Sequence, residues 1–126
     1  MITTKIYSFT DLEVWKQSHH LVLAVYKATK QFPKEETYSL IDQMKRSSVS
    51  ISSNIAEGFS RRGRKEKIQF YSMAKGSLTE LQNQLLIARD VGYLSKTDFN
   101  SLALQSVSVH KLLNALIKSI SLPLAP

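Results

Sequence analysis

Residues 58–67, with the sequence GFSRRGRKEK, are the part of the chain whose residue types come closest to a known chemistry. Gly58 and Gly63 have the spacing of the phosphate-binding motif G-x-x-x-x-G-K-[ST], in which the amides of a glycine-rich turn and a lysine hold phosphate groups. Here Arg64 stands at the lysine position and Lys65 at the hydroxyl position, and the residues before Gly58 predict a helix where the motif needs a strand. The sequence therefore excludes a catalytic phosphate-binding loop.

The three histidines are the other candidates for acid–base or metal chemistry. His19 and His20 are adjacent, so on a helix their side chains point about 100° apart and cannot share a metal ion. His110 has no acidic residue or histidine three or four positions away, and its predicted helix lacks the arginine that helical ribonucleases place near a histidine. We interpret all three as solvated or half-buried side chains.

The composition removes further classes of chemistry. Without cysteine the chain forms no disulfide, no thiolate metal site and no thiol nucleophile, and its many serines give no nucleophile–base pair. We therefore expect a non-enzymatic protein with no catalytic residue, no metal site and no cofactor. The amino terminus lacks an apolar signal core and no apolar run approaches about 18 residues, which predicts a soluble, cytoplasmic protein with no membrane partner.

Positive charge is concentrated in the segment that holds the two glycines. The net charge of the chain is +7, and residues 61–67 contain five of its 17 Lys and Arg residues and one glutamate. A local concentration of charge indicates a polyanionic partner such as RNA or DNA, whereas the alternative is a solvated turn that only keeps the protein soluble. The predicted nucleic-acid contacts are Arg61, Arg62, Arg64, Lys65 and Lys67, with Lys45, Arg46 and Lys75 extending the surface.

A stripe of polar residues follows the second predicted helix beside its apolar face. Arg46, Ser50, Asn54 and Glu57 lie three or four positions apart, and Ser53 is an alternative to Asn54 in the series. One interpretation is an ordinary solvated stripe. The other is a partly buried polar seam that meets another helix or subunit, where the charged residues at its ends need partners.

Four predicted helices position these residues. Apolar residues recur at three- and four-residue steps, and only four glycines and three prolines interrupt the chain. A capping box of Thr10 and Glu13 begins the first helix, Pro33 ends it, and Gly58 caps the second. Gly76, inside the third helix, indicates a close helix contact. The predicted helices are residues 11–32, 36–57, 65–91 and 96–121.

Long amphipathic helices with short loops predict an all-α fold, an antiparallel up-down-up-down four-helix bundle in one domain over residues 1–126. A β-strand is the alternative for SVSISSNI, whose polar residues alternate for part of its length. The apolar face of the fourth predicted helix is wider than packing along one bundle seam requires. This width indicates either that the helix forms a subunit interface or that it is the most central helix of the bundle. The residues outside its main seam are Ala103, Leu104, Val107, Leu112 and Ile117.

Three stretches of the chain resemble a known family. They are FTDLEVWKQS, VYKATKQFPKEETYSLIDQMKRSSVSISSNIAEGF and AKGSLTELQNQLLIARDVGYL, and their most specific parts are SVSISSNIAEG and GSLTELQNQL. They resemble the bacterial four-helix-bundle proteins encoded in intervening sequences of 23S ribosomal RNA genes. The accessory variability determinant of diversity-generating retroelements is similar to that family. Gln82 stands where many relatives have glutamate, so no role is assigned to an acid there.

The resemblance implies a fold, an assembly and a class of partner. It implies an up-down four-helix bundle that forms a ring-like homopentamer with a non-enzymatic role. It also implies binding of nucleic acid, and of a reverse transcriptase, through a basic surface, as in the retroelement relatives. We therefore expect an oligomeric nucleic-acid-binding accessory module, and the alternative is a protein-interaction scaffold with no nucleic-acid partner.

Overall fold

The computed structural model describes residues 5–121, and within that range it contains four α-helices, two short 3-10 helices and no β-strand. The all-helical prediction is confirmed, and the strand alternative for SVSISSNI is wrong because that stretch lies inside the second helix. No helix in this range is long and apolar enough to cross a membrane. The helices are α1 (Glu13–Thr29), α2 (Leu40–Ser60), α3 (Arg64–Asp90) and α4 (Lys96–Ser121), with 3-10 helices at Phe9–Asp11 and Lys34–Glu36.

The start of α1 differs from the predicted one because a different capping box precedes it. The Asp11 carboxylate accepts hydrogen bonds from the N–H groups of Tyr7 at 2.9 Å and Ser8 at 3.0 Å, and these bonds lower the pKa of Asp11. The Ser8 hydroxyl accepts in turn from the N–H of Thr10 at 3.2 Å. The predicted box of Thr10 and Glu13 is therefore wrong. The capping box that the chain uses is formed by Ser8 and Asp11, and it caps the first 3-10 helix.

Gly58 lies inside α2 and does not cap it. The helix continues to Ser60, and Arg61 is the cap residue. Gly58 is buried, and a Cβ atom there would lie 2.6 Å from a ring carbon of Tyr71 and 3.1 Å from Cβ of Phe70. Tyr71 is itself buried, which raises its pKa. A glycine is required here because α2 and α3 approach each other more closely than a methyl group allows.

The close helix contact predicted at Gly76 is wrong. Gly76 is exposed, and a Cβ atom placed on it would meet no atom within 4 Å. The glycine that permits close packing is therefore the one near the end of α2.

Each α-helix packs against two others. The contacting pairs are α1 with α2, α2 with α3, α3 with α4, and α4 with α1. Buried apolar side chains from all four helices form one core, whose largest members include Tyr71, Leu21, Met44, Ile51 and Leu113.

Polar side chains also cross between α2 and α3. The Ser47 hydroxyl donates to Oε1 of Gln84 at 2.7 Å, and the hydroxyls of Ser50 and Ser77 lie 2.8 Å apart. Ser47 and Gln84 are both buried, so each satisfies the other's hydrogen-bonding group. Small serine side chains thus let the two helices approach and fix the position of one along the other.

The substitution Gly58→Ala tests the close approach of α2 and α3. The added methyl group must displace the buried Tyr71 ring, and overpacking of this kind costs about 1–3 kcal/mol. Gly76→Ala is the matched control, because it makes the same change within a helix where no atom is in the way. We expect Gly58→Ala to be less stable than Gly76→Ala by about 1–3 kcal/mol in urea denaturation. Equal stability of the two variants would contradict the packing described.

Candidate nucleic-acid interface

The turn between α2 and α3 holds the main candidate surface. Because α2 ends at Ser60 and α3 begins at Arg64, only residues 61–63 connect the helices. The backbone is extended at Arg61, with φ −79° and ψ 148°, and at Gly63, with φ −81° and ψ 140°. The negative end of the α2 dipole lies beside this turn and attracts cations. A basic residue close to the last carbonyls of α2 therefore has a structural reason to lie here.

Lys67 turns back towards the end of α2. Its ammonium group donates hydrogen bonds to the carbonyl oxygens of Phe59 at 2.8 Å and Gly58 at 3.2 Å, and it lies 5.5 Å from the centre of the Phe59 ring. The last carbonyls of a helix lack intrahelical donors, and a lysine side chain can donate hydrogen bonds to them. Lys67 therefore stabilises the end of α2, and a phosphate would compete with these two hydrogen bonds for it.

Arg61 is held by two contacts of different kinds. Its guanidinium group donates to the carboxylate of Glu57 at 3.2 Å, one helical turn earlier. The central carbon of the guanidinium group lies 4.7 Å from the centre of the Phe70 ring. The Arg61 side chain nevertheless stays 42% exposed, so part of the side chain faces solvent.

Arg62, Arg64 and Lys65 differ from these two residues. All three are exposed, and none forms an ion pair or a side-chain hydrogen bond with another residue in the range 5–121. A cation without such contacts has its charge and all of its hydrogen-bond donors available to a ligand. These three side chains, defined here as the open cations, are the part of the predicted surface best placed to bind phosphate.

Two of the predicted contacts lie far from the turn along α2. Lys45 precedes Arg61 by 16 residues, which corresponds to roughly 24 Å along a helix. Its ammonium group lies 4.8 Å from the centre of the Tyr26 ring of α1. Arg46 is 80% exposed and lies 3.9 Å from the carboxylate of Asp42. The structure therefore does not join these two residues to the open cations.

Lys75 lies on a different side of the protein from Lys45. It precedes Gln82 by seven residues, so the two share a face of α3. The Gln82 side-chain amide donates to the hydroxyl of Ser106 in α4 at 3.2 Å, which places that face towards α4. Lys45, by contrast, lies against α1. The structure does not bring the three outlying cations together.

The predicted polar seam divides into two parts in the structure. The Asn54 side-chain amide donates to the Ser50 hydroxyl at 3.1 Å, and that hydroxyl contacts Ser77 of α3. This inner part lies between helices, as the partly buried interpretation requires. Arg46 and Glu57 are exposed instead, and each pairs along α2 with a residue four positions away. The charged ends thus find partners on their own helix.

Two of the three histidines are neighbours on α1, and His110 is half-buried on α4. The ring of His19 stacks on Trp15, with ring centres 4.8 Å apart, and the centres of His19 and His20 are 6.5 Å apart. Across the part of the chain that the structure describes, no three His, Asp or Glu side chains come together in a way that could hold a metal ion.

Two residues of the candidate surface were missed by the sequence reasoning. Phe59 and Phe70 are not among the predicted contacts, yet each is half-buried, with Lys67 over the ring of Phe59 and Arg61 over the ring of Phe70. The signal was present in the sequence as aromatic residues on either side of a basic run. Such interleaving is typical of surfaces that combine charge with stacking.

A second exposed surface lies on α3 and α4. Leu104 is 70% exposed, and Val107 and Leu86 line a shared shallow groove between the two helices. Leu112 and Ile117 are half-buried and pack on the core. The prediction that α4 is the most central helix is wrong, because every helix contacts two others. The alternative of a subunit interface stays a prediction.

The described residues form an all-helical protein, and five of the 17 Lys and Arg residues of the chain lie in residues 61–67, at and just after one interhelical turn. The chain belongs to the 23S rRNA-intervening sequence protein family, whose model matches residues 10–115. The resemblance identified from the three sequence stretches is thereby confirmed. No curated protein matches the chain significantly.

A solved structure has a similar fold. It is the crystal structure of a protein with unknown function from the S23 ribosomal protein family of Bacteroides thetaiotaomicron VPI-5482. The two chains are 24% identical with a TM-score of 0.77, and the match covers 83% of this chain and 95% of the other. At this identity the likeness shows the fold alone.

The substitution Lys67→Ala tests the structural role of Lys67. Loss of its two bonds to the end of α2 should lower the free energy of unfolding by about 1 kcal/mol in urea denaturation. The matched control is Lys65→Ala, which removes an exposed lysine two positions away and should change stability by less than about 0.5 kcal/mol. If both variants are equally stable, the bonds to Gly58 and Phe59 contribute nothing.

Proposed function

We propose that the protein is a non-enzymatic, homo-oligomeric nucleic-acid-binding accessory protein that contacts phosphates through the turn between α2 and α3. The observation that carries the proposal is the state of the open cations: Arg62, Arg64 and Lys65 are exposed and unpaired within residues 5–121. Two other cations of the same turn, Arg61 and Lys67, are engaged by the protein itself. Three of the five basic residues in this segment therefore remain available to bind a ligand.

Phosphate is the group that fits this surface. Arg62 in the turn, and Arg64 and Lys65 at the start of α3, present several donors, and none of the three is paired with an acidic side chain in the described range. Contacts of this kind recognise the polynucleotide backbone and carry no sequence information. Binding should therefore be independent of base sequence and should weaken steeply as salt is added.

We also propose that the four helices form an antiparallel bundle. Support comes from the order of the contacts between α2 and α3, since Ser47 meets Gln84, Ser50 meets Ser77, and Gly58 meets Tyr71. Residue numbers rise along one helix as they fall along the other. The three-residue connection favours the same arrangement, because short loops join antiparallel neighbours.

The homo-oligomer, a ring-like pentamer in this proposal, is supported by the exposed apolar residues of α3 and α4. Leu104, Val107 and Leu86 are 70%, 43% and 42% exposed. Apolar surface of this kind marks protein interaction sites when it is contiguous. A ring would repeat the open cations once per subunit, so a polynucleotide could contact several turns at once and bind with higher avidity.

The same apolar residues favour the second candidate function, a protein-interaction scaffold. In that case Leu104 and its neighbours would bind a different protein, and the basic turn would serve only solubility. A reverse transcriptase, which the family resemblance implies, is the first partner to test.

The triple variant Arg62→Ala, Arg64→Ala, Lys65→Ala tests nucleic-acid binding. Each lost phosphate contact weakens binding, so we expect a loss of tenfold or more in affinity for a labelled oligonucleotide, measured by fluorescence anisotropy at fixed low salt. The variant should fold normally, because the three side chains are exposed and make no contact that stabilises the helices.

The matched control removes the same charge from the other end of the protein. Lys30, Lys34 and Lys96 are exposed and lie near the contact of Phe32 with Tyr93. Their replacement by alanine should leave affinity within about twofold if the contact is local. Equal losses in the two triple variants would indicate a general charge effect and would contradict a specific site at the turn.

The substitution Leu104→Glu tests the proposed oligomer. By light scattering at micromolar concentration, we expect the unchanged protein to have five times the chain mass of 14.3 kDa. A glutamate at residue 104 would place an unpaired charge in the interface and should release smaller species. The control Tyr38→Glu changes a residue that is 94% exposed and lies outside α3 and α4, and it should leave the mass unchanged. A monomeric wild-type protein would contradict the oligomer.

A further inference from the structure

Arg61 differs from the open cations, because its ion pair with Glu57 does not fit a phosphate contact. Its guanidinium group donates to Glu57 at 3.2 Å, and the Glu57 side chain is 55% exposed. The carboxylate offsets the charge of Arg61 and would repel a phosphate brought to the same position. A different ligand group must be considered for this side chain.

The guanidinium group is held as a flat surface. The Phe70 ring lies on one side, 4.7 Å from the central carbon, and the ion pair with Glu57 restrains the group from its edge. Phe70 is half-buried, and a Cβ atom placed on Gly58 would lie 3.1 Å from the Phe70 Cβ, so the base of this side chain packs against α2. The Arg61 side chain nevertheless remains 42% exposed, so part of it is open to solvent.

A planar cation restrained in this way stacks on other planar groups. Arginine does so because its guanidinium group is flat, delocalised and weakly hydrated, whereas the ammonium group of lysine is a compact and strongly hydrated charge. In single-stranded nucleic acids the unstacked bases pack on aromatic rings and on guanidinium planes. In a duplex the faces of internal bases are already covered by their neighbours.

We propose that Arg61, supported by Phe70 and Glu57, is a stacking platform for an unpaired nucleobase, so that the turn binds single-stranded polynucleotide in preference to duplex. The inference rests on the proposed function, since the open cations hold the phosphates of the same strand. Arg62 is the next residue in the chain, so a base on Arg61 and a neighbouring phosphate on Arg62 belong to one binding site. The base stacks on Arg61, and the phosphates of the backbone contact Arg62, Arg64 and Lys65.

The test separates bases from phosphates. Anisotropy titrations compare an oligonucleotide of about ten residues with an abasic strand of the same length and charge, each in RNA and DNA form. The unchanged protein should bind the strand with bases about tenfold more tightly than the abasic strand. Comparing RNA with DNA shows whether the sugar contributes to binding. The platform requires tighter binding of the strand with bases for at least one of the two nucleic acids.

The decisive variant is Arg61→Lys, which keeps the positive charge and removes the plane. We expect it to lose most of the preference for the strand with bases and to bind the abasic strand as the unchanged protein does. Arg62→Lys is the matched control, since it makes the same exchange at an open cation, and it should keep the preference. Thermal melting of both variants checks that the protein still folds. The variant Arg61→Gln also has a planar side chain and should keep part of the preference for the strand with bases.

Three results would overturn the platform. If the unchanged protein binds both strands equally, bases do not contribute, although the proposed phosphate contacts stand. If Arg61→Lys weakens binding to both strands alike, Arg61 contacts phosphate instead. If neither strand binds at low salt, the proposed function fails, and the platform fails with it.

Discussion

The close approach of α2 and α3 at Gly58 is the constraint on which the rest of the structure depends. The Tyr71 ring occupies the space that any side chain at residue 58 would need. With the helices this close, three residues suffice to connect them, and the carbonyls at the end of α2 come within reach of Lys67. Serine pairs farther along the same two helices hold their relative position. The basic turn is therefore placed by packing in the core beneath it.

The turn's cations serve two purposes as a consequence. Lys67 and Arg61 are used by the protein, one at the helix end and one over Phe70. Arg62, Arg64 and Lys65 have no such partner in the described range and remain exposed. One run of positive charge in the sequence is thus divided in the structure into two cations that the protein holds and three open cations that it does not.

The sequence predicted the four helices and the family, because apolar periodicity over long segments is a strong signal. It failed where one pattern has two physical meanings. Glycine near a helix end indicates either a cap or a close contact, and only the position of Tyr71 distinguishes them at Gly58. Likewise, Ser8 with Asp11 and Thr10 with Glu13 are equally good capping boxes on paper, and the chain uses the earlier one. The pairing of Arg61 with Phe70 depends on where α3 begins, which the sequence locates only approximately.

The most direct measurement of the central claim is the salt dependence of oligonucleotide binding, with and without the open cations. Each phosphate neutralised contributes about 0.7 to the slope of log affinity against log salt for a single strand. If Arg62, Arg64 and Lys65 each bind one phosphate, replacing them together with alanine should reduce the magnitude of that slope by about 2. An unchanged slope would show that these side chains do not contact the backbone, and the account of the turn as a phosphate-binding surface would be wrong.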